Sequence, residues 1–217
     1  MSHYTSGFLL PPIGAVLFAG PAFFPYVSAG ANSVVPFETS ELRSFEFNLR
    51  KEVSPFLTIV AGYRHIDLNE RIYGQFLSVF IGNLDSFSIQ GFNRMDGFQL
   101  GSEAILWRPG GGRFWLEGST KVGVFGDATS NYGNFDAMVA TSTGTHVAFM
   151  AEWGVTAVFQ ITPHLAARVG YEGLLLDGVA LASEQIGVLN PVAGTGTTEN
   201  SGTPIYQGLV VNLEYSW

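Results

Sequence analysis

No cysteine occurs in the chain. Disulfide staples, thiolate metal sites and a cysteine nucleophile are therefore excluded. Charge is also scarce. Charged residues make up 13% of the sequence, against about 25% in ordinary soluble domains. Bases are the scarcer sign, with 10 Lys and Arg against 18 Asp and Glu and a net charge of −8. No basic face is available for nucleic acid, so no such partner is expected. No stretch of about twenty residues reads as a clean membrane helix. No cluster has metal-ligand spacing. The segment "PGGGRF" (109–114) lacks the Gly-Lys-Ser/Thr of a phosphate loop. Neither a metal nor a cofactor is expected.

Apolar residues are abundant but dispersed. Hydrophobic residues make up 47% of the chain, with 27 Gly and 18 Phe. From residue 44 onward they alternate with polar or small residues over runs of about ten, the period of a β-strand. Seven runs are clear: 44–53, 57–68, 97–107, 113–125, 147–161, 165–175 and 205–217. The fifth is the plainest. Val147, Phe149, Ala151, Trp153, Val155, Ala157, Phe159 and Ile161 share one face, with Met150, Glu152, Gly154, Thr156 and Gln160 on the other.

The connections alternate too. Short turns, "SPF", "RPGGG" and "TPH", follow the first, third and fifth runs, and their Pro and Gly suit tight turns. Long loops, at about 69–96, 126–146 and 176–204, follow the others. This predicts an all-β fold, an antiparallel up-and-down transmembrane β-barrel with short periplasmic turns and long extracellular loops. Residues 44–217 form the barrel domain, and 1–43 an N-terminal apolar segment.

The placement of charge separates a membrane barrel from a soluble one. The charged face carries Glu46, Arg50, Arg64, Glu103, Glu117, Lys121, Glu152, Arg168, Glu172 and Glu214. The opposite face is almost purely aliphatic and aromatic. Turned toward lipid, an Arg or Lys costs up to about 2–4 kcal/mol at the midplane. Placed inside a paired, hydrated lumen, the same residues avoid that cost. The ten are therefore expected to form an inner charge ladder. Inner glycines such as Gly62, Gly101, Gly123, Gly154, Gly170 and Gly208 would leave room for a narrow passage. Phe114, Phe159, Tyr215 and Trp217 gather near the short-turn end, as an interfacial aromatic girdle does.

The first 43 residues carry no charge from Tyr4 to Phe37. "MSHYTSG" lacks the basic start of an export signal. Pro11, Pro12, Pro21 and Pro25 are too many for a membrane helix. A β-strand with its connections, a degenerate signal and the remnant of a longer chain all stay open. A strand at about 12–30 would bring the count to eight, an even number, as bacterial barrels have.

Several blocks resemble the type-seven beta-barrel porin family. They are "TSELRSFEFNLRKEVSPFLTIVAGYRHIDLNE" (39–70), "DGFQLGSEAILWRPGGGRFWLEGSTKVGVFG" (96–126), "VGYEGLLLDGVALASEQI" (169–186) and the ending "YQGLVVNLEYSW". The resemblance spans about residues 39–217. It implies a bacterial outer-membrane barrel more firmly than any solute, and it brings no catalytic set. Members are usually longer, so it also implies a truncated N-terminus. The terminal aromatic strand resembles the signal by which the outer-membrane assembly machinery recognises its clients.

These readings lead to a porin-like barrel passing small polar solutes or ions through a charged lumen, whose six acids against four bases favour cations. The alternative is a structural or adhesive anchor displaying long loops on a side-chain-filled barrel. A barrel lipid enzyme is a weaker third. His65 and Asp67 at the long-loop rim could pair, yet two solvated rim residues account for them far better, and no enzyme is expected. "DGVALASEQI" (177–186) covers a rim without assignable chemistry. Asp127, Asp136, Glu184 and Glu199 read as solvated loop acids able to attract cations weakly.

Overall fold

The computed structural model describes residues 37–77, 84–135 and 138–215. Seven long strands form one sheet. They are β1 (Phe37–Ser54), β2 (Leu57–Leu77), β3 (Leu84–Trp107), β4 (Phe114–Phe135), β5 (Met138–Thr162), β6 (Leu165–Asp177) and β9 (Ile205–Tyr215). Two short strands, β7 (Leu189–Asn190) and β8 (Thr195–Gly196), lie in the connection between β6 and β9. The order is β1-β2-β3-β4-β5-β6-β9, and every neighbouring pair on this path is antiparallel. The up-and-down all-β architecture expected from the alternation is present.

All seven expected runs are strands, and most are longer than expected. β2 to β5 run through nearly all of the segments 69–96 and 126–146, which the sequence presents as long loops. β1 begins at Phe37, ahead of the expected start at 44. The short turns are where the Pro and Gly residues put them. The β3–β4 turn is a single 3-10 turn, Pro109–Gly111, and Gly110 takes a left-handed φ of 53° that favours glycine. A register shift sits next to each short turn, at Glu52/Ser54, Ile105/Trp107 and Gln160/Thr162. Bulges of this kind tighten twist at sheet rims.

The sheet curls, and its strands are staggered. The row of paired residues that starts at Ser54, the foot of β1, passes through Leu57, Ala104, Gly118, Val155 and Tyr171. It reaches β9 at Leu209, well above the foot of that strand at Tyr215. Stagger of this sense is what tilted strands need in order to close. At the long-hairpin end the two edges come within side-chain reach, where the hydroxyls of Ser40 on β1 and Tyr206 on β9 are 2.8 Å apart. No ladder joins β1 to β9 among the described residues. The expected closed barrel is thus an open, curled sheet here. The additional strand expected at 12–30 lies outside the described residues, as does Trp217.

The inner face is divided along its length. Near the short turns it is polar. Toward the long hairpins it mixes buried polar residues, among them Glu70, Asn93, Asp127 and Asn131, with apolar ones, and Ile66, Leu68, Met95, Phe125, Ala148, Met150, Leu176 and Val179 form one buried cluster. Ile72, Ile89, Ala140, Ala182 and Leu189 form a second.

Candidate functional site

Near the short turns, alternation along each strand sends the polar residues inward, and curling of the sheet brings them together. Arg64 of β2 donates to Glu152 of β5 at 2.6 Å and to Ser44 Oγ at 2.8 Å. Lys121 of β4 lies 2.9 Å from Glu152 and 3.0 Å from Glu46 of β1. Gln99 of β3 donates to Glu46 at 2.6 Å and to Asn48 at 2.8 Å. Seven side chains from five strands therefore form one bonded knot. Arg64 is only 7% exposed. An ion this far from water is tolerated only when paired and hydrogen-bonded.

Two smaller groups lie beside the knot. Arg168 of β6 bridges Glu117 of β4 and Glu214 of β9, the latter at 2.8 Å. Trp115 Nε1 donates to Glu117 at 2.6 Å. Arg50 donates to Glu103 at 2.7 Å. Nine of the ten expected ladder residues thus enter ion pairs. Glu172 forms none among the described residues. Alternation alone assigned the face, but the partners depend on register and curl. Gln99, an uncharged member, was missed for that reason.

At two of the inner glycines no free space is left. A Cβ on Gly101 would stand 2.7 Å from Lys121 Cγ, and one on Gly123 would stand 2.6 Å from Phe125 Cε2. Their missing side chains make space that neighbours already fill.

The mouth at the long-hairpin end is occupied by the connection between β6 and β9. Asn93 grips its backbone from both sides: Nδ2 donates to the Ala180 carbonyl at 2.9 Å, and Oδ1 accepts from the Ala180 N–H at 2.7 Å. Glu70 accepts from the Ala182 N–H at 3.3 Å and from Ser40 Oγ at 3.2 Å. Gln185, fully buried, braces the connection internally by bonding the Leu181 and Glu199 carbonyls and the Glu199 N–H. Thr198 reaches Ser142 and Asn131 on the wall. Val179, Ala182 and Leu189 sink into the two apolar clusters. "DGVALASEQI" does more than cover a rim: it is a stopper.

The loop acids also need correction. Asp127 is buried on the inner face, 3.1 Å from His146 Nε2. Glu184 is half-buried in the stopper, and the Glu199 backbone is bound to Gln185. Asp136 lies outside the described residues. His65 does meet Asp67, at 3.3 Å, and Asp96, at 2.7 Å, with the Tyr63 hydroxyl also on Asp96. This group lies on the outer wall, and no serine or threonine hydroxyl bonds to His65 among the described residues.

The outer wall carries the strongest pattern. Beside the polar half of the interior its side chains are apolar and exposed: Phe98 at 76%, Leu209 at 78%, Val211 at 72% and Leu213 at 73%. Trp107 and Phe114 meet edge to face at the short-turn end, with ring centres 5.9 Å apart, and Phe159 is cross-strand to Phe114. His164 lies against Tyr215 with ring centres 6.3 Å apart. Trp107 and His164 thus lie at the same end as Phe114, Phe159 and Tyr215. Along the same strands the phase then inverts. On β2 the outward residues change from Leu57, Ile59 and Tyr63 to Asp67, Asn69 and Arg71, while Ile66, Leu68 and Ile72 turn inward. β3 changes from outward Leu100 and Phe98 to outward Asp96 and Arg94, with Met95 and Ile89 inside. β4 and β5 lose their outward apolar run at the same level, to Ala128 and Ser130 and to Thr145 and Thr143, while their inner rows hold Asp127 and Asn131 and His146 and Ser142. The paired row Arg43–Asp67–Arg94 marks the boundary.

No family model, curated protein or solved structure matches the chain.

Proposed function

We propose that this chain is the wall of a bacterial outer-membrane β-barrel, acting as a sealed anchor that raises long hairpins above the lipid. The inversion of phase carries this reading. A strand surrounded by lipid keeps its apolar residues outside, and a strand surrounded by water keeps them inside. β2 and β3 do both at one level, where β4 and β5 also lose their outward apolar run, as strands that cross from lipid into water would. The belt's exposed apolar side chains run across neighbouring strands, from Phe45 and Phe47 on β1 to Leu209, Val211 and Leu213 on β9, as a surface that meets an apolar partner or lipid does. In this frame the short turns are periplasmic and the hairpins extracellular. β9 is the strand that the outer-membrane assembly machinery would read, in keeping with the family resemblance of the strand blocks.

The bonded knot and the stopper support an anchor over a pore, because each fills the interior at its own level. Porin-like passage is the second reading. It is favoured by the unjoined edges of β1 and β9, since further strands widen a barrel. Planar-bilayer recordings of refolded protein separate the two. The anchor predicts a folded, heat-modifiable protein without conductance steps. Regular, cation-selective steps would overturn it in favour of the porin.

A further inference from the structure

The stopper is held by apolar burial, by an amide clamp and by one carboxyl, and the carboxyl is in an unusual place. Glu70 is 4% exposed. The groups facing it are Glu38 and Ser40 from β1, the Tyr206 hydroxyl from β9, and the Ala182 N–H and Glu184 from the stopper. β3 offers only Gly91 at that level. No cation bonds to it among the described residues. Every charge near it is negative.

We propose that Glu70 is a proton-operated latch: protonated, it seats the stopper in the mouth, and ionised, it drives the stopper toward release. Geometry supplies the mechanism. The carboxyl touches both moving and fixed parts, the Ala182 backbone on one side and Ser40 on the other. Ionisation would set a buried charge against Glu38 on the wall and Glu184 on the stopper. Burial first, and then Glu38, push the Glu70 carboxyl up to about 7, against the softer opposing pull of the Ala182 N–H and Ser40. Burial likewise raises Glu184 and Glu38. Once the stopper leaves, Glu70 returns toward its ordinary value of 4.5. A carboxyl whose value is raised in the seated state stabilises that state fully at low pH. That contribution fades as pH rises from the released value toward the seated one. The stopper is thus firm in acid and loose at neutral to alkaline pH.

The latch itself does not depend on lipid, but its consequence, a mouth that opens to the outside, rests on the outer-membrane reading. The absence of cysteine makes the test clean. Val179→Cys puts a thiol in the apolar cluster under the stopper, and Val192→Cys puts one on the exposed outer side of the same connection. Maleimide labelling of the first, divided by that of the second, cancels the pH dependence of the thiol. The ratio should rise at least about tenfold between about pH 5.5 and about pH 8. Glu70→Gln should hold it low throughout, and Glu184→Gln should move the midpoint to lower pH. A flat ratio in the Glu70 protein, or a rise that persists in a folded Glu70→Gln protein, overturns the latch. If Glu70→Gln does not fold, the Glu70 profile and the direction of the Glu184→Gln shift still decide. Vesicle flotation tests the membrane reading separately, so a flat ratio in a protein that floats sinks the latch alone.

Discussion

Arg64 and Glu214 show how differently two inner charges can be held. Arg64 is almost shut off from water and depends on Glu152, 2.6 Å away. Glu152 also holds Lys121 at 2.9 Å. Removing it by Glu152→Ala leaves two buried cations sharing the one carboxylate of Glu46 and should cost up to about 3–5 kcal/mol. The side chain of Glu214 is half-exposed, and Glu214→Ala should cost only about 0–1 kcal/mol. Urea unfolding of the refolded variants measures both. The faces of these residues were legible in the sequence, because alternation sends Glu152 and Glu214 to the same side as Arg168 and Lys121. Their partners were not. Arg64 and Glu152 are separated by 88 positions, and only register and curl bring them together. Asn93 was harder still. It shares the parity of Met95 and Ile89, so a lone polar residue in an apolar inner row was the available signal.

A single strand can obey two hydrophobic rules in succession. β2 is apolar outward at Leu57, Ile59 and Tyr63, then apolar inward at Ile66, Leu68 and Ile72 and polar outward at Asp67, Asn69 and Arg71. A reader following one phase loses the strand where it inverts, so the upper halves of β2 to β5 look like loops. On the membrane reading the cause is a change of solvent; hydrogen bonding does not end there, since the ladder between β2 and β3 continues without a break from Leu57 to Leu77. This sets different penalties along neighbouring strands. Val122→Arg, in the belt, should cost about 2–4 kcal/mol in lipid vesicles. Thr143→Arg, above the belt on β5, should stay within about 0.5 kcal/mol. Equal costs in vesicle-reconstituted protein would remove the proposed boundary.

Topology places one demand on the whole molecule. Seven strands joined antiparallel in succession leave β1 and β9 running the same way. Antiparallel closure therefore needs an odd number of further strands between them, which recovers the even count of bacterial barrels. The seven long strands and their up-and-down order were readable from turns and alternation, and the short β7 and β8 were not. The curl, the filled interior and the inward fold of the β6–β9 connection were not, because each depends on contacts far apart in sequence. The stopper alone joins Asn93 to Ala180 and Glu70 to Ala182. The central claim is that the apolar wall faces lipid while the polar wall faces in, and β9 tests it in three consecutive residues. Single cysteines at Val211, Asn212 and Leu213, each carrying a fluorophore, can be reconstituted into vesicles containing brominated lipid. The account predicts strong quenching at 211 and 213 and weak quenching at 212. Uniform quenching, or none at all three, would contradict it.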